Sequence, residues 1–167
     1  ILPERCKPLD GTYGFVTPEG WRDQFNNGEG LKRWMDGIEE TPVPAWYARD
    51  AGMSLDFHDT LNKNRLASLT IDFEPGGYVT NIGFRGLSLV QGQHYEFYIF
   101  ARGNVSLTVS LESKDRHVYA AKTLDITRTG YQRYDLNLCP DQTDPDARFT
   151  LESRAGGSLN LGFTSRM

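Results

Sequence analysis

The sequence predicts an all-β fold, a jelly-roll β-sandwich, on three observations. Short runs of residues alternate apolar and polar with period two, glycine- and proline-containing turn signals fall between them, and no helical period lasts beyond a turn or two. In chain order, the first 33 residues form an irregular arm punctuated by Gly11, Gly14, Pro18, Gly20, Gly28 and Gly30, and residues 34–167 form the sandwich. Phe25, Leu31 and Trp34 are the arm's candidate anchors, and a short helix is expected near Glu29 to Met35. Met53, Leu55 and Phe57 alternate with polar neighbours, as do Leu69, Ile71 and Phe73. Val105, Leu107, Val109 and Leu111 make the longest such run, and Tyr134, Leu136 and Leu138 the next. Phe149 and Leu151, then Leu159, Leu161 and Phe163, close the series. Turns are expected at Pro75-Gly76-Gly77, Gly92, Gly103-Asn104, Lys114-Asp115, Gly130, Asp144-Pro145 and Gly156-Gly157. The predicted core is Leu69, Ile71, Phe97, Ile99, Leu107, Val109, Leu136, Phe149 and Leu161. Half-buried antiparallel strands at this spacing are the pattern of a sandwich.

Composition excludes several classes of function. The 167 residues carry 18 Lys and Arg against 22 Asp and Glu, a formal charge of −4 with no basic block. Such a chain offers no footprint for nucleic acid or anionic lipid. Apolar residues are 38 % and no run is long enough to span a bilayer, so no membrane partner is expected. The chain opens Ile1-Leu2-Pro3-Glu4-Arg5 without the pattern of a signal peptide. Two cysteines, Cys6 and Cys139, are far apart and in no CxxC pair, which argues against zinc or thioredoxin-like chemistry. They are either one disulfide tying arm to sandwich or two free thiols.

No catalytic residue stands out. There is no GxSxG, and His58, His94 and His117 have neither metal-ligand spacing nor an evident orienting partner. Glycosidases need two carboxylates. Glu39-Glu40 precedes a proline-rich loop, and Asp72 and Glu74 flank Phe73 on the polar side of a strand. Asp141, Asp144 and Asp146 share a loop whose oxygens suit calcium, but it lacks the glycine and terminal glutamate of an EF-hand loop. None forms a convincing acid–base pair.

Aromatic residues are more telling. They make up 12 % of the chain. Tyr and Trp rings stack on the C–H faces of sugars while Arg, Asn, Asp and Gln pair with the hydroxyls, a recipe that tolerates negative charge. Core packing is the competing role for many of these rings. Trp46-Tyr47, after Pro42 and Pro44, are the first candidates. In the run from His94 to Arg102, Tyr95, Phe97, Ile99 and Ala101 form a core face. His94, Glu96, Tyr98, Phe100 and Arg102 form a mixed second face, either the floor of a ligand groove or a face covered by the arm. Tyr98 and Arg102 are its candidate contacts.

Several segments carry a resemblance: Thr80-Asn81-Ile82-Gly83-Phe84-Arg85-Gly86-Leu87, Gly92-Gln93-His94-Tyr95, the run 97–102, the run 105–113, Gly130-Tyr131-Gln132-Arg133-Tyr134, Pro145-Asp146-Ala147-Arg148-Phe149, and Gly157-Ser158-Leu159. Together they resemble the carbohydrate-binding-like jelly roll in the N-terminal region of α-L-arabinofuranosidases of glycoside hydrolase family fifty-one, over roughly Trp34 to Met167. The resemblance implies a galactose-binding-like sandwich that holds plant polysaccharide of the arabinan or arabinoxylan type. Its partners would be that glycan and the catalytic domain of a parent glycosidase, in an extracellular or periplasmic setting. Catalysis in such enzymes lies in a separate barrel, so no catalytic residue is carried over. Two departures stand out. Arg85 replaces the Trp of the family's "GFWG" turn and becomes a candidate loop contact, and Gly162 stands where the family has an Asp that in related sandwiches helps hold a structural calcium. The expected contacts are thus Trp46, Tyr47, Arg85, Tyr98 and Arg102, with no metal. The alternative is a structural sandwich that docks on a catalytic barrel without binding sugar.

Overall fold

A computed structural model describes residues 6–9, 12–15, 46–63, 67–81 and 86–166. All of the regular structure among them is strand. A two-stranded hairpin, β1 (Cys6–Leu9) and β2 (Thr12–Phe15), forms a sheet of its own where the sequence predicts irregular chain. The expected anchors Phe25, Leu31 and Trp34, and the expected helix near Glu29 to Met35, lie outside the described residues.

The sandwich is built from β3 (Trp46–Asp56), β4 (Ser68–Asn81), β5 (Leu87–Leu89), β6 (Tyr95–Glu112), β7 (Val118–Ile126), β8 (Gln132–Leu138), β9 (Asp144–Ser153) and β10 (Gly157–Arg166). All its pairings are antiparallel. Two long strands serve both layers. The first half of β4 pairs with β10 and its second half with β9. The first half of β6 pairs with β8 and β10, the second with β7 and β9. One layer, here the front, therefore runs β3-β4-β10-β6-β8, and the back runs β3-β4-β9-β6-β7, with β5 along the start of β9.

The change of layer explains two turn signals that do not make turns. Pro75-Gly76-Gly77 lies inside β4 and Gly103-Asn104 inside β6. Gly76 and Gly103 have φ of 82° and 143°, which only glycine adopts readily. A Cβ on Gly103 would collide with the Ser158 carbonyl oxygen, and one on Gly77 with that of Asp50. These glycines bend a continuous strand rather than reverse it. By contrast, Gly92, Lys114-Asp115, Gly130 and Gly156 fall between strands as the sequence predicts, whereas Asp144-Pro145, read as a turn, opens β9.

The period-two pattern reads the core correctly. Every residue of the predicted core is buried, and Leu69, Ile71, Ile99, Leu107, Val109 and Leu161 have no exposed surface. Each such Leu or Ile is worth about 1.5–3 kcal/mol of burial. Phe97 of the front stacks on Phe149 of the back with centroids 5.2 Å apart, which locates the core between the layers. The alternating run through Phe57 stops early. Asp56 accepts hydrogen bonds from the backbone N–H groups of His58 (2.8 Å) and Asp59 (3.1 Å), which turns the chain and leaves Phe57 exposed. Those two bonds also lower the Asp56 pKa. Cys139 follows β8 as a free, exposed thiol, and the side chain of Cys6 lies outside what the structure describes.

Candidate binding face

The outer surface of the front layer gathers the mixed face of β6. Tyr95, Phe97, Ile99 and Ala101 point into the core, so Glu96, Tyr98, Phe100 and Arg102 point out. Tyr98 and Phe100 are half-buried, edge to face at 6.0 Å. Register places Tyr98 beside Asp135 and Phe100 beside Arg133 of β8. Arg133 donates through Nε (2.9 Å) and Nη2 (2.7 Å) to Asp135 Oδ1 while its guanidinium lies 4.5 Å above the Tyr98 ring. The result is a plate of Arg133 over Tyr98, with the Phe100 ring perpendicular to that of Tyr98, edged by hydrogen-bonding groups.

Arg102 marks one end of the plate. It forms an ion pair with Asp59 from the β3–β4 loop and sits 5.5 Å from the Tyr131 ring centroid. Its Nε is buried and has no hydrogen-bond partner among the described residues. Asn160 lies opposite Arg102 on β10, with its amide donating to Thr70 (3.1 Å); beyond it Ser158 donates to Asp72 (2.6 Å). At the other end, His94 Nδ1 and Asn137 Oδ1 lie 2.8 Å apart on exposed side chains.

Of the sequence-predicted contacts, the front face thus brings together Tyr98 and Arg102. Trp46 and Tyr47 require correction as contacts. Trp46 is fully buried, opposite Asn81, and Tyr47 retains only 8 % exposure opposite Thr80 on the back layer. Neither ring presents a face to a ligand. Burial raises the Tyr47 pKa to about 12, against a smaller opposing pull from Arg148. Both rings sit at the start of β3, where pairing with β4 draws them in; an aromatic pair after prolines looks the same whether it ends in core or on a surface. Arg85 lies outside the described residues. Sequence reasoning missed Arg133, Asp135 and Asp59. The first two were legible as the polar side of the run 132–138, but their place beside Tyr98 depends on strand order.

The back layer's outer surface holds a different polar group. Thr150 donates to Glu112 Oε1 (2.6 Å) and lies 2.9 Å from the Thr80 hydroxyl. Arg116 reaches Glu112 (3.2 Å) and Glu152 (2.6 Å), with its guanidinium 3.6 Å over the Tyr78 ring. Glu112 is 2 % exposed and Thr150 not at all. Both carboxylates are engaged by one guanidinium and Glu112 is closed off from solvent, so the pair is not placed to meet a glycosidic bond. In the loop read for calcium, the Asp144 carboxylate already accepts from Tyr119 (2.8 Å) and the Asp146 N–H (2.8 Å), and Asp146 pairs with Arg148 (2.7 Å). Among the described residues no three ligating side chains converge on a metal position.

No family model matches the chain. It is 25 % identical over 132 residues to an extracellular exo-α-L-arabinofuranosidase of Streptomyces chartreusis, over 75 % of this chain and 15 % of that protein. The arabinofuranosidase resemblance read in the sequence agrees with this relative. Among solved structures, the arabinose-bound GH51 α-L-arabinofuranosidase superposes with a TM-score of 0.68 at 23 % identity, covering 78 % of this chain and 24 % of that one. A CBM4 module superposes at 0.54 and 13 % identity, covering 74 % of this chain and 94 % of that one. The chain therefore has the sandwich fold of such modules, and spans about a sixth to a quarter of the length of the arabinofuranosidases it resembles.

Proposed function

We propose that this chain is a non-catalytic carbohydrate-binding module of a secreted, arabinofuranosidase-like glycoside hydrolase, and that its front face holds plant polysaccharide of the arabinan or arabinoxylan type. The observation that carries the reading is the half-exposed plate of Tyr98, Phe100 and Arg133 flanked by hydroxyl-pairing groups. The charge on this face suits a neutral glycan. Arg102 and Arg133 are each engaged by a carboxylate, while Glu96 and Asp72 add further negative charge. Export agrees with the extracellular relative, and no helix among the described residues is long and apolar enough to cross a membrane.

Affinity electrophoresis through gels containing arabinan, arabinoxylan or xylan tests this. The expected result is retardation by at least one neutral glycan, unchanged by moderate salt, and none by polygalacturonate. Free migration in every glycan gel overturns the reading and favours the docking sandwich. That second reading has one observation behind it: Arg133 already occupies a face of the Tyr98 ring, as at a packed interface.

A further inference from the structure

The front face is crossed by a strap. The β3–β4 loop enters from one side, fixed by Asp56 to the backbone N–H groups of His58 and Asp59. Its Asp59 carbonyl accepts from Ser68 of β4 (2.9 Å) and from the Tyr131 hydroxyl (3.0 Å), and Tyr131 comes from the β7–β8 loop on the opposite side. The Asp59 carboxylate holds Arg102 of β6. Beneath the meeting point lies Gly162 of β10, at the register shift between Leu161 and Phe163. A Cβ there would stand 3.0 Å from Leu61 Cβ and 3.1 Å from Tyr131 Cε1, so both side chains lie directly on the backbone. The strap thus touches β4, β10 and β6 and ends at Tyr131, just before β8.

From this geometry, and resting on the glycan-binding reading above, we infer that the aromatic plate is a blind site that takes the end of a glycan chain or a short branch, not an internal stretch. Tyr98 and Phe100 lie on one side of the strap; Asn160, Ser158 and Asp72 lie on the other. A polymer threading along β6 would have to pass through Leu61, Tyr131 and the Arg102–Asp59 pair. The opposite end of the plate carries the exposed side chains of Glu96, His94 and Asn137, where the rest of the chain leaves. The four-residue step from Glu96 to Phe100 spans about 13 Å, room for a few sugar rings.

Calorimetry with arabino- and xylo-oligosaccharides of increasing length tests the inference. A blind site predicts affinity that rises over the first two or three units and then stays constant to within about twofold, with one protein bound per oligosaccharide. A continued rise of about tenfold or more from three units to six overturns it and leaves the glycan-binding reading standing. Absence of binding to any oligosaccharide or polymer overturns both. Tyr131→Ala, or Leu61→Ala if the former unfolds, cuts the strap; the expected result is that longer chains now gain affinity over short ones. A folded variant that leaves the length profile unchanged counts against the strap as the wall.

Discussion

The two outer faces of the sandwich share the long strands β4 and β6, yet the front is the more open. On the front, the outward residues Tyr98, Phe100 and Arg102 of β6 are half-exposed and meet Arg133 and Asp135 in pairs accessible to solvent. On the back, the outward residues Ser110 and Glu112 of the same strand are 4 % and 2 % exposed, and Thr150 beside them is buried. Both faces put a guanidinium over a tyrosine ring and pair it with carboxylate. The difference lies in the solvation of the carboxylate, with Glu112 2 % and Asp135 61 % exposed. A buried, fully partnered network fixes structure, whereas an exposed one leaves hydrogen-bonding capacity for a ligand.

The contrast is broken most forcefully at Glu112. Glu112→Ala removes the buried acceptor of Thr150 and one of the two carboxylates on Arg116, and a stability loss of about 1–3 kcal/mol is expected in urea unfolding. A loss below about 1 kcal/mol would place Glu112 with the exposed pairs.

A smaller effect separates the faces by pH. Tyr47 on the back layer has its pKa raised to about 12 by burial, above its ordinary value near 10. The folded state therefore favours the neutral phenol. That stability is complete below pH about 10 and is lost as pH rises toward about 12. Thermal unfolding followed across this range should show a fall in melting temperature that Tyr47→Phe makes shallower. An identical fall in both proteins would assign it to other groups.

The smallest stability effect belongs to the front. Asp135→Asn removes an ion pair whose partners are 61 % and 45 % exposed, and should cost less than about 1 kcal/mol. The same substitution releases Arg133 from its position over Tyr98, so glycan retardation should weaken while the melting temperature holds.

Legibility in the sequence followed the range of the interaction. Alternation located the core residue by residue, because burial of a strand face depends only on period two. It did not reveal that Gly76 and Gly103 bend strands that continue, since the same residue types that permit a turn permit a bend, and the choice is made by β9 and β10 arriving on either side. The candidate site was half legible. Tyr98 and Arg102 follow from the polar side of one strand. Arg133, Asp135 and Asp59 join them only through strand order and a loop conformation, and Trp46 and Tyr47 are withdrawn by pairing with β4.

The open front face, not the more closed back, is the surface proposed to bind glycan. The most direct measurement compares Tyr98→Ala with Tyr78→Ala in the same affinity gels, after both are shown to be folded by thermal unfolding. Each loses one tyrosine ring beneath a guanidinium, on opposite layers. The front-face account predicts that Tyr98→Ala abolishes most of the retardation and that Tyr78→Ala keeps it. Retardation that survives in Tyr98→Ala and disappears in Tyr78→Ala would contradict it.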